Sequence, residues 1–322
     1  MKVGIIGAGH IAEKAARTLA AMQDMTCLAI GSRSREKAET FARAWDIPRA
    51  YGSYEALLED PDVDLVYVAT PHSHHFDVTR SAVGKGKPCL VEKSFMANAA
   101  QAGEILSLAR RRNVFVGEAI WTRYLPVVEI IRGILASGVL GTVRTVSATL
   151  SYPIGDKERI LRPELCGGAL LDLGVYCINF IRTYCPGPIE RMTSVCTKFG
   201  TGTDMSASVS FVLADGTVAQ MLTSAACQGD NVGVIAGSEA NLWVDDINNP
   251  QCLRVYGKHH SLIAEYSAPE QITGFEYEFA ACREAILSGK VEPPQMPHDE
   301  ILYVMDLMDR LRADWGLRFP MD

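Results

Sequence analysis

Val3-Gly4-Ile5-Ile6-Gly7-Ala8-Gly9-His10-Ile11-Ala12 opens the chain. Val3–Ile6 is a short apolar run, and Ile11–Ala21 follows it with helical spacing and many alanines. Gly7-x-Gly9-x-x-Ala12 therefore sits between a strand and a helix, the context that gives such a motif its meaning. Gly7 permits a tight turn, Gly9 lets a pyrophosphate approach the backbone, and Ala12 keeps helix and strand close. The phosphates would lie against free N–H groups and the positive end of the helix dipole. Gly7, Gly9, His10 and Ile11 are accordingly the first candidate contacts of a nicotinamide dinucleotide.

The second strand, Thr26–Ile30, runs into Gly31-Ser32-Arg33-Ser34. A site selective for NAD usually places Asp or Glu here, about twenty residues past the glycines, to accept from the ribose 2′-hydroxyl. Ser32, Arg33 and Ser34 offer instead a cation and hydroxyl donors, which suit a 2′-phosphate. NADP(H) is the favoured cofactor, with NAD(H) possible if Arg33 only stacks on adenine.

Outward from this turn, strands alternate with helices. Arg35–Trp45 is helical, Leu65–Ala69 is a strand with a helix following through Val83, Pro88–Val91 is a strand, Ala97–Arg111 a helix and Val114–Gly117 a strand. Repeated strand–helix units of this size imply a parallel, doubly wound sheet covered on both faces. Near residue 120 the pattern changes. Pro126–Ser137 reads as a helix, Val143–Ser151 as a strand and Gly167–Tyr184 as a long apolar helix. Strand-like runs follow at Glu190–Phe199, Ser206–Leu213, Thr217–Ser224, Val232–Ala236, Ala240–Val244 and Leu253–Tyr256, with an Asp215-Gly216 hairpin signal. Gly274–Ser288 and His298–Trp315 close the chain as helices. The expectation is an α/β Rossmann domain over 1–120 and an α+β domain over 121–322 with a large, mostly antiparallel open sheet, serving substrate binding and oligomerisation.

Bulk composition agrees with two ordinary domains. The chain has 322 residues, 48% hydrophobic and 21% charged, with a formal net charge of -7. It carries no basic run and no aromatic–basic stripe, so nucleic acid is not an expected partner. No uncharged apolar stretch approaches the ~20 residues of a membrane helix, and no secretory leader is visible. A cytoplasmic protein is expected. Its nine cysteines form no C-x-x-C pair, which points to reduced thiols rather than a zinc or dithiol site.

Three further clusters carry chemistry. Ala69-Thr70-Pro71-His72-Ser73-His74-His75 follows the third of these strands, at the rim where open α/β sheets bind ligands. Its histidines lack the spacing of a zinc motif and have no adjacent acid, so helix opening and loop packing are expected of them, not metal. Glu92-Lys93-Ser94 ends the next strand at the same rim, where a lysine can hold a substrate hydroxyl and favour its deprotonation. Gly167-Gly168-Ala169-Leu170-Leu171-Asp172-Leu173-Gly174-Val175-Tyr176 puts Asp172 and Tyr176 four apart on one helix face within an apolar stretch. Polar groups there are costly without a purpose. A tyrosine serves as general acid or base when a cation lowers its pKa, and Lys93 is a candidate source from the other domain. Arg159 and Arg162 in the loop 152–166 would meet polar or anionic groups, or solvent.

Together these segments resemble the glucose–fructose oxidoreductase / inositol dehydrogenase / MocA family over essentially the whole chain. Within it, Glu118–Pro126, Leu171–Tyr176, Gly274–Glu278 and Trp315–Pro320 are most similar to the dimeric dihydrodiol dehydrogenase / NADP-dependent D-xylose dehydrogenase branch. The resemblance implies that Lys93 lies near the nicotinamide and the reacting hydroxyl, that Tyr176 is the general acid/base, and that Asp172 orients substrate. It implies that Thr70, Pro71, His75 and Glu92 belong to the cofactor site, that Trp121 and Arg123 line its crevice, and that chains pair as a dimer or tetramer through the C-terminal sheet. The family's Glu-Lys-Pro is here Glu92-Lys93-Ser94, and without the proline a cis bond after the lysine is not expected. The implied activity is hydride transfer between a nicotinamide cofactor and the CH–OH group of a sugar, polyol or cyclic diol. The rivals are an NAD-dependent oxidation–elimination glycosidase and a non-catalytic nicotinamide-binding regulator.

Overall fold

The computed structural model describes all 322 residues, Met1–Asp322. The chain divides into two compact units. The first comprises Met1–Trp121, Gln271–Asp306 and Met321–Asp322, the second Thr122–Glu270 and Leu307–Pro320.

In the first unit the elements are β1 (Lys2–Ile6), α1 (His10–Ala21), β2 (Thr26–Gly31), α2 (Arg35–Ala44), β3 (Arg49–Tyr51), α3 (Tyr54–Leu58), β4 (Leu65–Val68), α4 (His72–Gly84), β5 (Cys89–Glu92), α5 (Ala99–Arg112) and β6 (Val116–Ala119). The six strands pair in the order β3-β2-β1-β4-β5-β6, all of them parallel. Strand order reverses between β1 and β4, so the crevice beyond their carboxyl ends is the ligand position of this architecture. β4, β5 and β6 are buried along their whole length, which is why their sequences are apolar runs rather than alternations. The short β3 and α3 were not anticipated from sequence, because three and five residues are too few to show a period.

The sequence expectation drew a single boundary near residue 120, but Gln271–Asp306 also packs into the first unit. The physical reason is the open edge of the sheet. The Val116 amide of β6 donates to Val291 O at 2.9 Å, and buried His298 places Nε2 2.8 Å from Val116 O. A returning segment thus covers a strand edge that would otherwise be exposed.

The second unit contains α6 (Val127–Ala136), β7 (Val143–Ser151), α7 (Glu158–Leu161), α8 (Val175–Tyr184), β8 (Ile189–Lys198), β9 (Asp204–Leu213), β10 (Val218–Ser224), β11 (Gly233–Gly237), β12 (Asn241–Val244), β13 (Cys252–Tyr256) and β14 (Leu262–Ser267). Two helices close the chain: α9 (Glu276–Leu287) belongs to the first unit, and α10 (His298–Asp314) begins in the first unit and ends in the second. The eight strands pair in the order β14-β13-β12-β11-β7-β10-β9-β8. Only β7 and β10 are parallel; the other pairs are antiparallel. β10 alternates exposed and buried positions, as a sheet with one covered face requires.

The apolar segment Pro163–Tyr184 is long enough to cross a membrane by length and composition, yet 89% of its most apolar window is buried within the protein. It is the core helix of this unit. It is also not one continuous α-helix. Leu170–Gly174 has π geometry, and α8 begins only at Val175. Gly168 enters at φ +124°, and the Leu170 amide donates to the Asp204 carboxylate at 2.5 Å. This side-chain acceptor takes a first-turn amide that an α-helix leaves without a partner.

Candidate active site

The dinucleotide turn has the geometry its sequence implies. Gly7 sits at φ +105°, and a Cβ there would run into the Ala69 carbonyl. Ala12 is fully buried against the sheet. Gly9 caps α1 through backbone alone, with no side chain closing the first turn, and no atom lies within 4 Å of where its Cβ would be. Open space in front of uncapped helix amides is the cradle a pyrophosphate needs. His10 and Ile11 lead away from it on the first turn of α1.

At the end of β2, Ser32 is buried and its Oγ accepts from the Ser34 amide at 3.3 Å. Ser34 caps α2, accepting from the Lys37 amide at 3.3 Å. Each hydroxyl spends a lone pair on the backbone and keeps its O–H to donate. Arg33 between them is exposed.

Thr70 and Pro71 lie at the end of β4, Pro71 as the N-cap of α4. His75 is fully buried rather than facing the crevice, and burial pushes its pKa down to about 4. Its Nδ1 lies 3.1 Å from both Ser94 O and Phe95 O, and its Nε2 lies 2.8 Å from Thr70 O. His72 Nε2 lies 3.2 Å from Lys93 O, and the Phe95 amide donates to buried Glu118 at 3.0 Å. The histidine loop therefore clamps the segment that carries Lys93. That clamp corrects one expectation: the Lys93–Ser94 peptide is cis although no proline is present. Hydrogen bonds from α4 and β6 fix the backbone on both sides of the bond, and tertiary context overrides the local preference.

Glu92 is buried one residue before Lys93. Tyr67 donates its hydroxyl to Glu92 Oε1, and the Lys93 amide donates to Oε2 at 3.2 Å. Burial raises the pKa of Glu92. Two charged neighbours escaped the sequence reading. Glu278 of α9 is fully buried with no donor to either carboxyl oxygen, and burial plus the Glu92 charge push its pKa well up. Lys14 of α1 sits 4.3 Å above the Trp121 ring and 3.9 Å above the Phe275 ring. Burial lowers its pKa against the opposing pull of Glu278 and Glu92. Its cation–π contacts are worth about 0.5–2 kcal/mol. They and Phe275, packed at 5.1 Å between ring centroids, fix the Trp121 ring.

In the second unit, Asp172 lies in the π turn and Tyr176 on the first turn of α8, both buried. The expected shared α-helical face is therefore modified, since a π turn advances each residue by a smaller angle. Arg159 donates to Asp172 Oδ2 at 2.8 Å from the loop 152–166. Arg123 donates through Nε to Asn179 Oδ1 at 2.6 Å, and Asn179 donates to Val175 O at 2.8 Å. Arg123 is thus a buried brace of α8.

A glycine turn between β1 and the start of α1, at the point where the order of a parallel sheet reverses, defines the first unit as a dinucleotide-binding domain. Comparison with known proteins narrows this. Residues 1–119 match the model of an oxidoreductase family with an NAD-binding Rossmann fold, and residues 128–262 match that family's C-terminal domain. The chain belongs to the GFO/IDH/MocA oxidoreductase family. It is 36% identical over 330 residues to trans-1,2-dihydrobenzene-1,2-diol dehydrogenase of Xenopus tropicalis, covering 99% of each chain. It is 32% identical to the Sus scrofa enzyme of the same name, covering 100% of this chain and 99% of the other. Among solved structures, a 3-ketoreductase from Actinomadura kijaniata in complex with NADP and TDP-benzene superposes with TM-score 0.88 at 26% identity, over 97% of both chains.

Proposed function

We propose that this protein transfers hydride between NADP(H) and the CH–OH group of a sugar, polyol or cyclic diol. The observation that carries the cofactor choice is the end of β2, where Ser32 and Ser34 keep donors and Arg33 is exposed, with no acid to receive a ribose 2′-hydroxyl. Dihydrodiol dehydrogenases as full-length relatives, and an NADP-bound reductase as structural neighbour, support both halves of the reading.

When bound, the cofactor supplies the hydride chemistry. In the oxidising direction Tyr176, with Lys93 favouring its phenolate form, accepts the proton from the substrate hydroxyl oxygen and becomes the neutral phenol. Lys93 supplies positive charge where the oxygen becomes negative, which favours that transfer. Asp172 orients the substrate by accepting from a neighbouring hydroxyl, and Arg159 holds that carboxylate still. The test is a panel of sugars, inositols and diols, followed by nicotinamide absorbance with each cofactor. Turnover with NADP exceeding that with NAD on at least one polyol or diol is expected. Binding without turnover on every member would favour the non-catalytic regulator, and cofactor that co-purifies and is never consumed would favour the oxidation–elimination glycosidase.

The Arg159–Asp172 pair yields a separate expectation. Arg159→Met removes a charge-assisted hydrogen bond to a buried carboxylate, of which the partner loses about 1.5–3 kcal/mol. KM for the substrate should rise about tenfold or more, with NADPH affinity unchanged. A KM within twofold of the parent enzyme would separate Arg159 from substrate binding.

Val195, Val218, Leu222, Leu262 and Tyr266 are exposed on strands of the eight-stranded sheet. Such an apolar set favours self-association, and we propose a homodimer or tetramer through this sheet. All nine cysteines are free, which suits a reducing compartment, and a cytoplasmic location is proposed.

A further inference from the structure

The π turn Leu170–Gly174 carries Asp172, and Tyr176 stands on the α-helix that follows. Such turns are rare and cluster at functional sites. Here two other buried polar side chains hold its ends. At the entry, Gly168 runs at φ +124°, and a Cβ there would run into Asp204 Oδ1. From this close position the fully buried Asp204 of β9 accepts from the Leu170 amide through Oδ2 at 2.5 Å. A Cβ on Gly167 would meet the Ile160 carbonyl, so the glycine pair also lets the segment behind Arg159 close in. At the exit, buried Asn179 of α8 donates through Nδ2 to Val175 O at 2.8 Å. Its Oδ1 accepts from Arg123 Nε at 2.6 Å. Val175 directly precedes Tyr176. Between the two ends Gly174 lies against β10, where a Cβ would come within 3.4 Å of the Met221 side chain and 3.5 Å of the Thr223 methyl.

An α-helix advances about 100° per residue, and a π turn advances less. The angle between Asp172 and Tyr176 therefore depends on the turn keeping its π geometry. Without Asp204 the Leu170 amide loses its acceptor, and the entry is free to tighten towards α geometry, which swings Asp172 about the helix axis. Tyr176 lies past the turn, and the Asn179 bonds keep the start of α8 in place. Loss of the entry clamp thus displaces Asp172 and spares Tyr176. Loss of the exit clamp shifts the backbone next to Tyr176, while Asp172 keeps Asp204 behind it and Arg159 at 2.8 Å.

We propose that Asp204 and Asn179 are separate positioning residues for the two halves of the reaction, which rests on the roles given above to Asp172 and Tyr176. Asp204 sets substrate binding through Asp172, and Asn179 sets proton transfer through Tyr176. Both act through the backbone of the turn. Graded substitutions separate the bonds. Asp204→Asn keeps an acceptor for the Leu170 amide, and Asp204→Ala leaves none. Asn179→Asp keeps an acceptor for Arg123 and loses the donor to Val175 O.

Steady-state kinetics with NADP and the panel member that the parent protein oxidises fastest test this, beside hydrogen exchange at the Leu170 amide. Asp204→Ala should raise the substrate KM about tenfold or more and keep kcat within about threefold. Asp204→Asn should recover most of that loss, with KM roughly two- to fivefold above the parent. Asn179→Asp should lower kcat about tenfold or more and keep KM within about threefold. Exchange at Leu170 should quicken in Asp204→Ala and stay at the parent rate in Asn179→Asp. Where Asp204→Ala does not fold, Asp204→Asn carries the test, and a KM equal to the parent's overturns the proposal. Asp172→Asn and Tyr176→Phe in the same assay are the reference, the first raising KM and the second lowering kcat. If the reference variants behave so, yet Asp204→Ala and Asn179→Asp move KM and kcat together or move neither, the two clamps are only structural and the proposal falls. If the reference variants leave KM and kcat at parent values, the reading of Asp172 and Tyr176 fails, and the proposal falls with it.

Discussion

Lys93→Met and Tyr176→Phe should each bind NADPH within a fewfold of the parent enzyme and lose about 10²–10⁴ in turnover. The fold gives reason to expect this separation. The Lys93 backbone is held by groups that do not involve its side chain: its amide donates to Glu92, and His72 and His75 reach the carbonyls of residues 93, 94 and 95. Replacing the ammonium by a thioether removes charge and leaves those bonds in place. Tyr176 is 8% exposed on a helix whose other residues are packed, so Phe keeps the ring and loses only the hydroxyl. The pyrophosphate cradle at Gly7 and Gly9 is untouched by either change. Single-turnover absorbance at 340 nm, combined with cofactor titration, separates binding from chemistry. Turnover within threefold of the parent for either variant removes that residue from the proton-transfer assignment.

How far the sequence reveals this site depends on the reach of each signal. Gly7, Gly9 and Ala12 are legible because their roles are local: each constraint acts within one turn of chain. The parallel sheet is legible because strands buried on both faces write continuous apolar runs. Lys93, Asp172 and Tyr176 stand out as polar residues in apolar surroundings. The cis bond after Lys93 runs against the local rule, since the hydrogen bonds around it come from α4 and β6, up to 23 residues away in sequence. Gln271–Asp306 shows the same limit. A helix pattern announces α9, but nothing in that pattern says which sheet edge the segment before α10 will cover. Phe275, Glu278, Phe279 and Cys282 share helical spacing, so the sequence itself puts an acid on a core face.

That acid leads to the second large effect. Glu278 is fully buried with no hydrogen-bond donor, beside Glu92 and within the field of Lys14. A carboxylate in such a place is costly, and burial raises its pKa well above the usual range. The folded protein therefore holds a proton on Glu278 at pH values where the unfolded chain, titrating near 4.3, has already released it. Between those two values the folded state binds more protons, so stability falls as pH rises. Glu278→Gln keeps the shape and removes the ionisation. The apparent melting temperature of the variant should match the parent near pH 5 and exceed it increasingly towards pH 9. The gain comes from removing the ionisation, about 1.4 kcal/mol for each unit by which the folded pKa is raised, or roughly 2–4 °C per kcal/mol for domains of this size. Glu92, also pushed up by burial, loses a like-charged neighbour in the variant, so its ionisation becomes easier and adds to the flattening. Parallel melting curves for the two proteins across pH 5–9 would mean that Glu278 does not titrate in the folded state over that range. A stabilised variant with reduced turnover would show instead that the buried acid is retained for its influence on the Glu92-Lys93 segment, at the expense of stability.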